Sequence, residues 1–161
     1  MNVLLTVTHR RLICDFLFSG EKKVAPKKRA PLAAAALNAL GAGRYAAESA
    51  GLFAQKGAPI SRYAAQALEE ASIESTPSNN YRMHKARPVT EEMVASADRV
   101  IAVTEPHMLL LMRSFPQHAA KITVMKRDIV DPYGGTLEDY RRCLAEIIDC
   151  LRQMFPLDRE S

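Results

Sequence analysis

The stretch Arg99-Val-Ile-Ala-Val-Thr-Glu-Pro-His-Met-Leu-Leu-Leu-Met-Arg113 passes from a compact apolar run at 99–104 into a segment rich in Leu and Met at 105–113. The first part reads as a short buried strand and the second as a helix, with the methionines as core filler. The same alternation recurs along the chain. Residues 3–7 read as a strand. Pro31 opens a helix that runs to residue 40 and stops at Gly41 and Gly43, proline at the start and glycine at the end being helix-boundary chemistry. Residues 45–50 form a second strand, Ser61 caps a helix to about residue 71, and the polar stretch 74–80, with Pro77, is a loop. Thr90 begins another helix, whose Glu91 and Glu92 suit its positive end. Residues 121–125 are a last strand and 136 to about 154 a long amphipathic helix. Short apolar strands alternating with helices predict an α/β fold, a single domain of three layers with helices on both faces of a parallel sheet. Ligands of such sheets sit beyond the carboxyl ends of the strands, here between Val7 and Pro31.

With 161 residues, 48% hydrophobic and 25% charged, the chain has the composition of one ordinary soluble domain. No apolar run approaches the roughly 20 residues of a membrane span. The N-terminus lacks a leader pattern, so a cytoplasmic location is expected. Cys14, Cys143 and Cys150 are too few and too scattered for a disulfide framework or a four-cysteine zinc site, and no metal or cofactor is expected. The net charge of +4 is local, because residues 21–29, Glu-Lys-Lys-Val-Ala-Pro-Lys-Lys-Arg, hold five cations and one anion. No aromatic residue interleaves them, so nucleic acid is not an expected partner and the run reads as a solvated loop.

Residues 131–140, Asp-Pro-Tyr-Gly-Gly-Thr-Leu-Glu-Asp-Tyr, set an acid in a tight turn ahead of the last helix. Pro132 biases Asp131 toward extended backbone and the two glycines permit a sharp reversal. Taken alone this is a helix-capping turn; a rigid turn of this kind also suits a general acid.

In order and spacing, several segments together carry a resemblance. They are Pro31-Leu-Ala-Ala-Ala-Ala-Leu37, Ser49-Ala-Gly-Leu52, His84-Lys-Ala-Arg87 followed by Thr90, Ala97-Asp-Arg-Val-Ile101, His107 with Phe115-Pro116, and Asp131-Pro-Tyr-Gly-Gly135. The chain resembles the low-molecular-weight protein tyrosine phosphatases. Gly134, Gly135 and Tyr140 look most like the bacterial arginine-phosphatase branch. The resemblance implies a four-stranded parallel sheet in the flavodoxin-like order 2-1-3-4 and phosphomonoester hydrolysis through a cysteinyl-phosphate. It further implies Asp131 as general acid, Arg29 as phosphate ligand, and Ser49 and His84 as residues that brace the phosphate loop. The implied partners are a phosphorylated protein or small phosphomonoester, with inorganic phosphate, and no membrane.

The family's loop runs Cys, five residues, Arg, Ser or Thr, Pro. It aims backbone N–H groups and a helix N-terminus at the phosphate and depresses the thiol pKa, while the arginine forks two oxygens. Here Arg29 and Pro31 align, but Ala30 replaces the hydroxyl residue and Lys23 stands where the cysteine belongs. With the first strand at 3–7, Val7 and Thr8 take the loop's opening positions and residues 8–28 form an atypical basic insertion in place of the loop. With the strand at 12–18, Ser19 takes the nucleophile position, without an evident base to activate it. The first alignment fits the N-terminus better. Cys14 is the remaining nucleophile candidate, fifteen residues before Arg29, and otherwise a buried thiol; Cys143 and Cys150 share a helical face and read as core. Three readings stay open: an active phosphatase, a silent phosphate- or phosphoprotein-binding relative, and a reading frame that is not native over 8–28. Arsenate reduction needs several positioned cysteines and is not expected.

Overall fold

The computed structural model describes residues 10–15, 29–51 and 56–157. Its sheet consists of β1 (Arg10–Asp15), β2 (Tyr45–Ala50), β3 (Arg99–Ala102) and β4 (Ile122–Val124), all parallel and ordered β2-β1-β3-β4. Five helices accompany it: α1 (Arg29–Leu40), α2 (Arg62–Glu70), α3 (Glu91–Ser96), α4 (Glu105–Ser114) and α5 (Leu137–Met154). Successive residues of a strand point to opposite faces, and β3 obeys that rule. Ile101 joins a core with α1, α2 and α5, whereas Val100 and Ala102 join a second core with Val94 of α3 and Leu111 of α4.

Local chemistry explains most boundaries. Ser61 Oγ accepts from the Ala64 N–H at 3.1 Å and Thr90 Oγ1 from the Met93 N–H at 3.2 Å, each satisfying an orphan donor of a first turn. α1 obeys a different logic. Arg29 through Leu37 are all buried, so no amphipathic stripe exists, and its alanines let it lie close between the sheet and α5.

The N-terminal expectation needs correction. The expected strand at 3–7 lies outside the described residues, and the central strand is Arg10–Asp15, within the stretch read as an insertion. A short apolar run has no periodicity that separates strand from loop, and only pairing selects it. Residues 10–15 ladder with β2 on one side and β3 on the other. The rest of 8–28 lies outside the described residues, as do Ser19, Lys23 and Leu52. Among the described residues, no helix is long and apolar enough to cross a membrane.

Candidate active site

Arg29 opens α1 and is 6% exposed. Its Nη1 donates to the Ile129 carbonyl, and its Nη2 stands 3.8 Å from Asp131 Oδ2, a hundred residues away in sequence for the first partner. Burial pulls the Arg29 pKa down, and the neighbouring Asp131, Cys143 and Asp128 pull the other way. The guanidinium fork therefore ties the start of α1 to the acidic turn.

That turn is built by its own sequence. Asp131 Oδ1 accepts from the Tyr133 N–H at 3.1 Å, and the Gly135 N–H donates to the Pro132 carbonyl at 2.8 Å. Gly134 takes φ +72°, a left-handed conformation that glycine adopts without strain. At Gly135 a Cβ would meet Asp139 Oδ2 at 2.6 Å and the Pro132 carbonyl at 2.9 Å, so the turn closes too tightly for a side chain. α5 then starts with a reciprocal cap: the Asp139 N–H donates to Thr136 Oγ1 and the Thr136 N–H to Asp139 Oδ2 at 2.7 Å. The backbone bond from Thr136 is the main reason the Asp139 carboxyl lies below its ordinary range. The Asp131 side chain, 28% exposed, is left at the surface of this rigid frame.

Behind the turn lies a cavity of about 240 Å³, lined among others by Asp131, Tyr133, Gly135, Arg142 and Cys143. Burial pushes the Cys143 thiol up to about 12, with Arg29 pulling it down and Asp131 pushing it further up. A thiol in that state is protonated at neutral pH and is no nucleophile. Cys150 is buried as well, and its thiol is also raised by burial.

Ser49 and His84, paired by the sequence reading, line one groove of about 620 Å³ together with Pro31. Ser49 is the penultimate residue of β2, 8% exposed, and Cys14 of β1 stands opposite it in register, with Ile101 of β3 on Cys14's other side. Cys14 is therefore next to last in the central strand, near the carboxyl end where ligands of open parallel sheets bind. Thus Arg29 meets Asp131, and Ser49 and His84 line one groove. The first turn of α1, carrying both Arg29 and Pro31, is the element common to the two pairs. Sequence reading missed the Ile129 carbonyl, since any residue supplies a carbonyl, and missed Cys143 as a neighbour of the acid. Among the described residues, no group of three or more His, Cys, Asp or Glu side chains is arranged to hold a metal ion.

Residues 27–160 match the model of a family described as low molecular weight phosphotyrosine protein phosphatase. The chain belongs to that family. Within the phosphatase family it is similar to the protein-arginine-phosphatase of Bacillus subtilis (strain 168), with 31% identity over 113 residues, 66% of this chain and 71% of that one. The protein-arginine-phosphatase of Geobacillus stearothermophilus is likewise 31% identical over 126 residues, covering 74% and 80% of the two chains. A solved YwlE arginine phosphatase with a phosphorylated active site serine superposes with a TM-score of 0.73 at 26% identity, over 90% of this chain and 92% of its own. The resemblance noted from the motifs, including its arginine-phosphatase-like branch, is borne out by these phosphatases.

Proposed function

We propose that this phosphatase-family protein binds the phosphoryl group of a phosphorylated protein, phosphoarginine by its branch and phosphotyrosine or a small phosphomonoester by its wider family, and is catalytically silent. The observation that carries the reading is the meeting of Arg29 and Asp131 at 3.8 Å on two rigid elements. An incoming phosphate dianion replaces the carboxylate as partner of the guanidinium fork, which suits two phosphate oxygens. Ser49 and His84 brace the phosphate-binding segment. Silence is supported by Lys23 standing in the sequence six residues before Arg29, where the family's loop has its cysteine, and by a Cys143 thiol held protonated; losing the nucleophile of a covalent mechanism costs many orders of magnitude in rate. The same reading includes a cytoplasmic, single three-layer domain of flavodoxin-like order 2-1-3-4, with inorganic phosphate as a ligand.

A second reading is favoured by the position of Cys14 near the carboxyl end of β1. In it the Cys14 thiolate attacks phosphorus, Asp131 protonates the departing group, and the Asp131 carboxylate then takes a proton from the water that hydrolyses the cysteinyl-phosphate. Para-nitrophenyl phosphate turnover and phosphate titration separate the two. The silent reading expects no turnover above background and phosphate binding that Arg29→Ala abolishes. Turnover that disappears in both Cys14→Ser and Asp131→Ala establishes the active enzyme instead.

A further inference from the structure

The groove that holds Ser49 and His84 continues along the outer edge of β2, and its walls carry charge that phosphate binding does not use. The Gly57 N–H donates to the Ala86 carbonyl at 2.7 Å and the Ala86 N–H to the Ala58 carbonyl at 2.8 Å. These bonds draw Lys56, Lys85 and Arg87 onto one two-stranded ribbon that forms a wall of the groove. Against these three cations, Glu48 is the one carboxylate among the described lining residues, and it is committed to Arg87 at 2.9 Å. The exposed Lys56 and Lys85 leave the groove positive.

The opposite wall is preformed. Asn79, 7% exposed, donates from Nδ2 to the Ala35 carbonyl of α1 at 2.9 Å. The Asn38 amide takes both backbone groups of Ala47, accepting from its N–H at 2.7 Å and donating to its carbonyl at 3.0 Å. Two residues past Ser49, the Gly51 N–H donates to the Arg87 carbonyl and the Val89 N–H to the Gly51 carbonyl. The rungs of the β2 edge on either side of Ser49 are thus filled by the chain itself, which closes the edge to addition of a strand. Recognition in the groove falls to side-chain charge. Among the described lining residues the tyrosine, Tyr81, is buried with its hydroxyl on the Ile73 carbonyl, so it offers no exposed phenol ring for stacking nucleic-acid bases.

We propose that this groove docks an acidic, extended segment of the phosphorylated protein, flanking the residue whose phosphoryl group enters the site. The proposal rests on the phosphoprotein reading of that site, and the first turn of α1 serves both, with Arg29 facing the acidic turn and Pro31 lining the groove. Fluorescence anisotropy of a fluorescein-labelled, unphosphorylated Glu-Gly repeat peptide against the full chain tests it. Lys56→Glu with Lys85→Glu is expected to weaken binding by about tenfold, as two exposed charge pairs turn from attraction to repulsion. Inorganic phosphate affinity stays within the same range in this variant. Arg113→Glu with Lys126→Glu, exposed charges away from the groove, leaves peptide binding unchanged. The proposal is overturned if the Lys56 and Lys85 variant binds the peptide as the parent does, or if the off-groove variant loses as much. It is equally overturned if a Gln-Gly repeat or an oligothymidylate binds as tightly. Because the probe carries no phosphate, failure of the phosphate site appears separately, as phosphate titration insensitive to Arg29→Ala.

Discussion

Arg29 joins two segments that the chain separates by a hundred residues, one contact to the Ile129 carbonyl and one to Asp131. A lysine has a single point of charge and cannot reproduce that fork. Removing a buried charge-assisted hydrogen bond costs roughly 1.5–3 kcal/mol, so Arg29→Leu is expected to lower unfolding free energy by about 2 kcal/mol in urea titration, with Arg29→Lys giving partial recovery at best. The resemblance singled out the residue as a candidate phosphate ligand, two positions before Pro31; its carbonyl partner was not legible, since a carbonyl has no residue identity. Cys143 gives the other prediction at this scale. Its folded pKa of about 12 lies above its ordinary 9.0, so the protonated form is favoured in the fold. The resulting stability is fully present below pH 9.0 and is lost as pH rises toward about 12. In thermal unfolding scans across that window the parent should lose stability faster than Cys143→Ala, and iodoacetamide should label Cys143 at neutral pH only after denaturation.

The turn at 131–135 and the helix after it were the most legible elements, because glycine conformation and capping act within a few residues. Residue 136 was expected to open the last helix, and the structure adds its reciprocal cap with Asp139. Loss of such a cap costs about 1 kcal/mol, so Thr136→Ala should reduce unfolding free energy by that amount at neutral pH. The Asp139 carboxyl lies below its ordinary 3.8, so its share is present above that pH and fades as acid protonates it. The difference between parent and Thr136→Ala, followed by chemical unfolding from pH 7 downward, should therefore shrink below about pH 4. β1 was the element least legible. Its six residues have no cap, glycine stop or helical period, and β2 and β3 alone identify it.

On the scale of the molecule, the alanine run of α1 changes meaning. In sequence it is plain helix former; in the fold Ala33 and Ala36 are wholly buried, with α1 packed against β2 and α5. Small side chains there set the distance between layers, and overpacking a filled core costs typically 1–3 kcal/mol. Ala36→Leu should destabilise the protein by about 2 kcal/mol in denaturant unfolding despite leucine's good helix propensity. On the proposed phosphoryl-binding role of Arg29 it should also weaken phosphate binding, since it displaces the helix that carries that residue.

Sequence alone determined the α/β alternation, the helix caps, the acidic turn, the family motifs and the departure of residues 23 and 30 from the family's loop. The caps, the turn and the loop departures depend on groups within a few positions of one another, and the alternation and motifs on linear order and spacing, so no tertiary contact is needed to read them. Only the tertiary structure decided that Arg10–Asp15 is the central strand, that Arg29 meets Ile129 and Asp131, and that the ribbon bearing Lys56 and Lys85 borders the groove of Ser49. Those contacts close loops of tens to a hundred residues, and what selects them is the burial and pairing of the whole sheet with its helices, a free energy that no short window of residues contains.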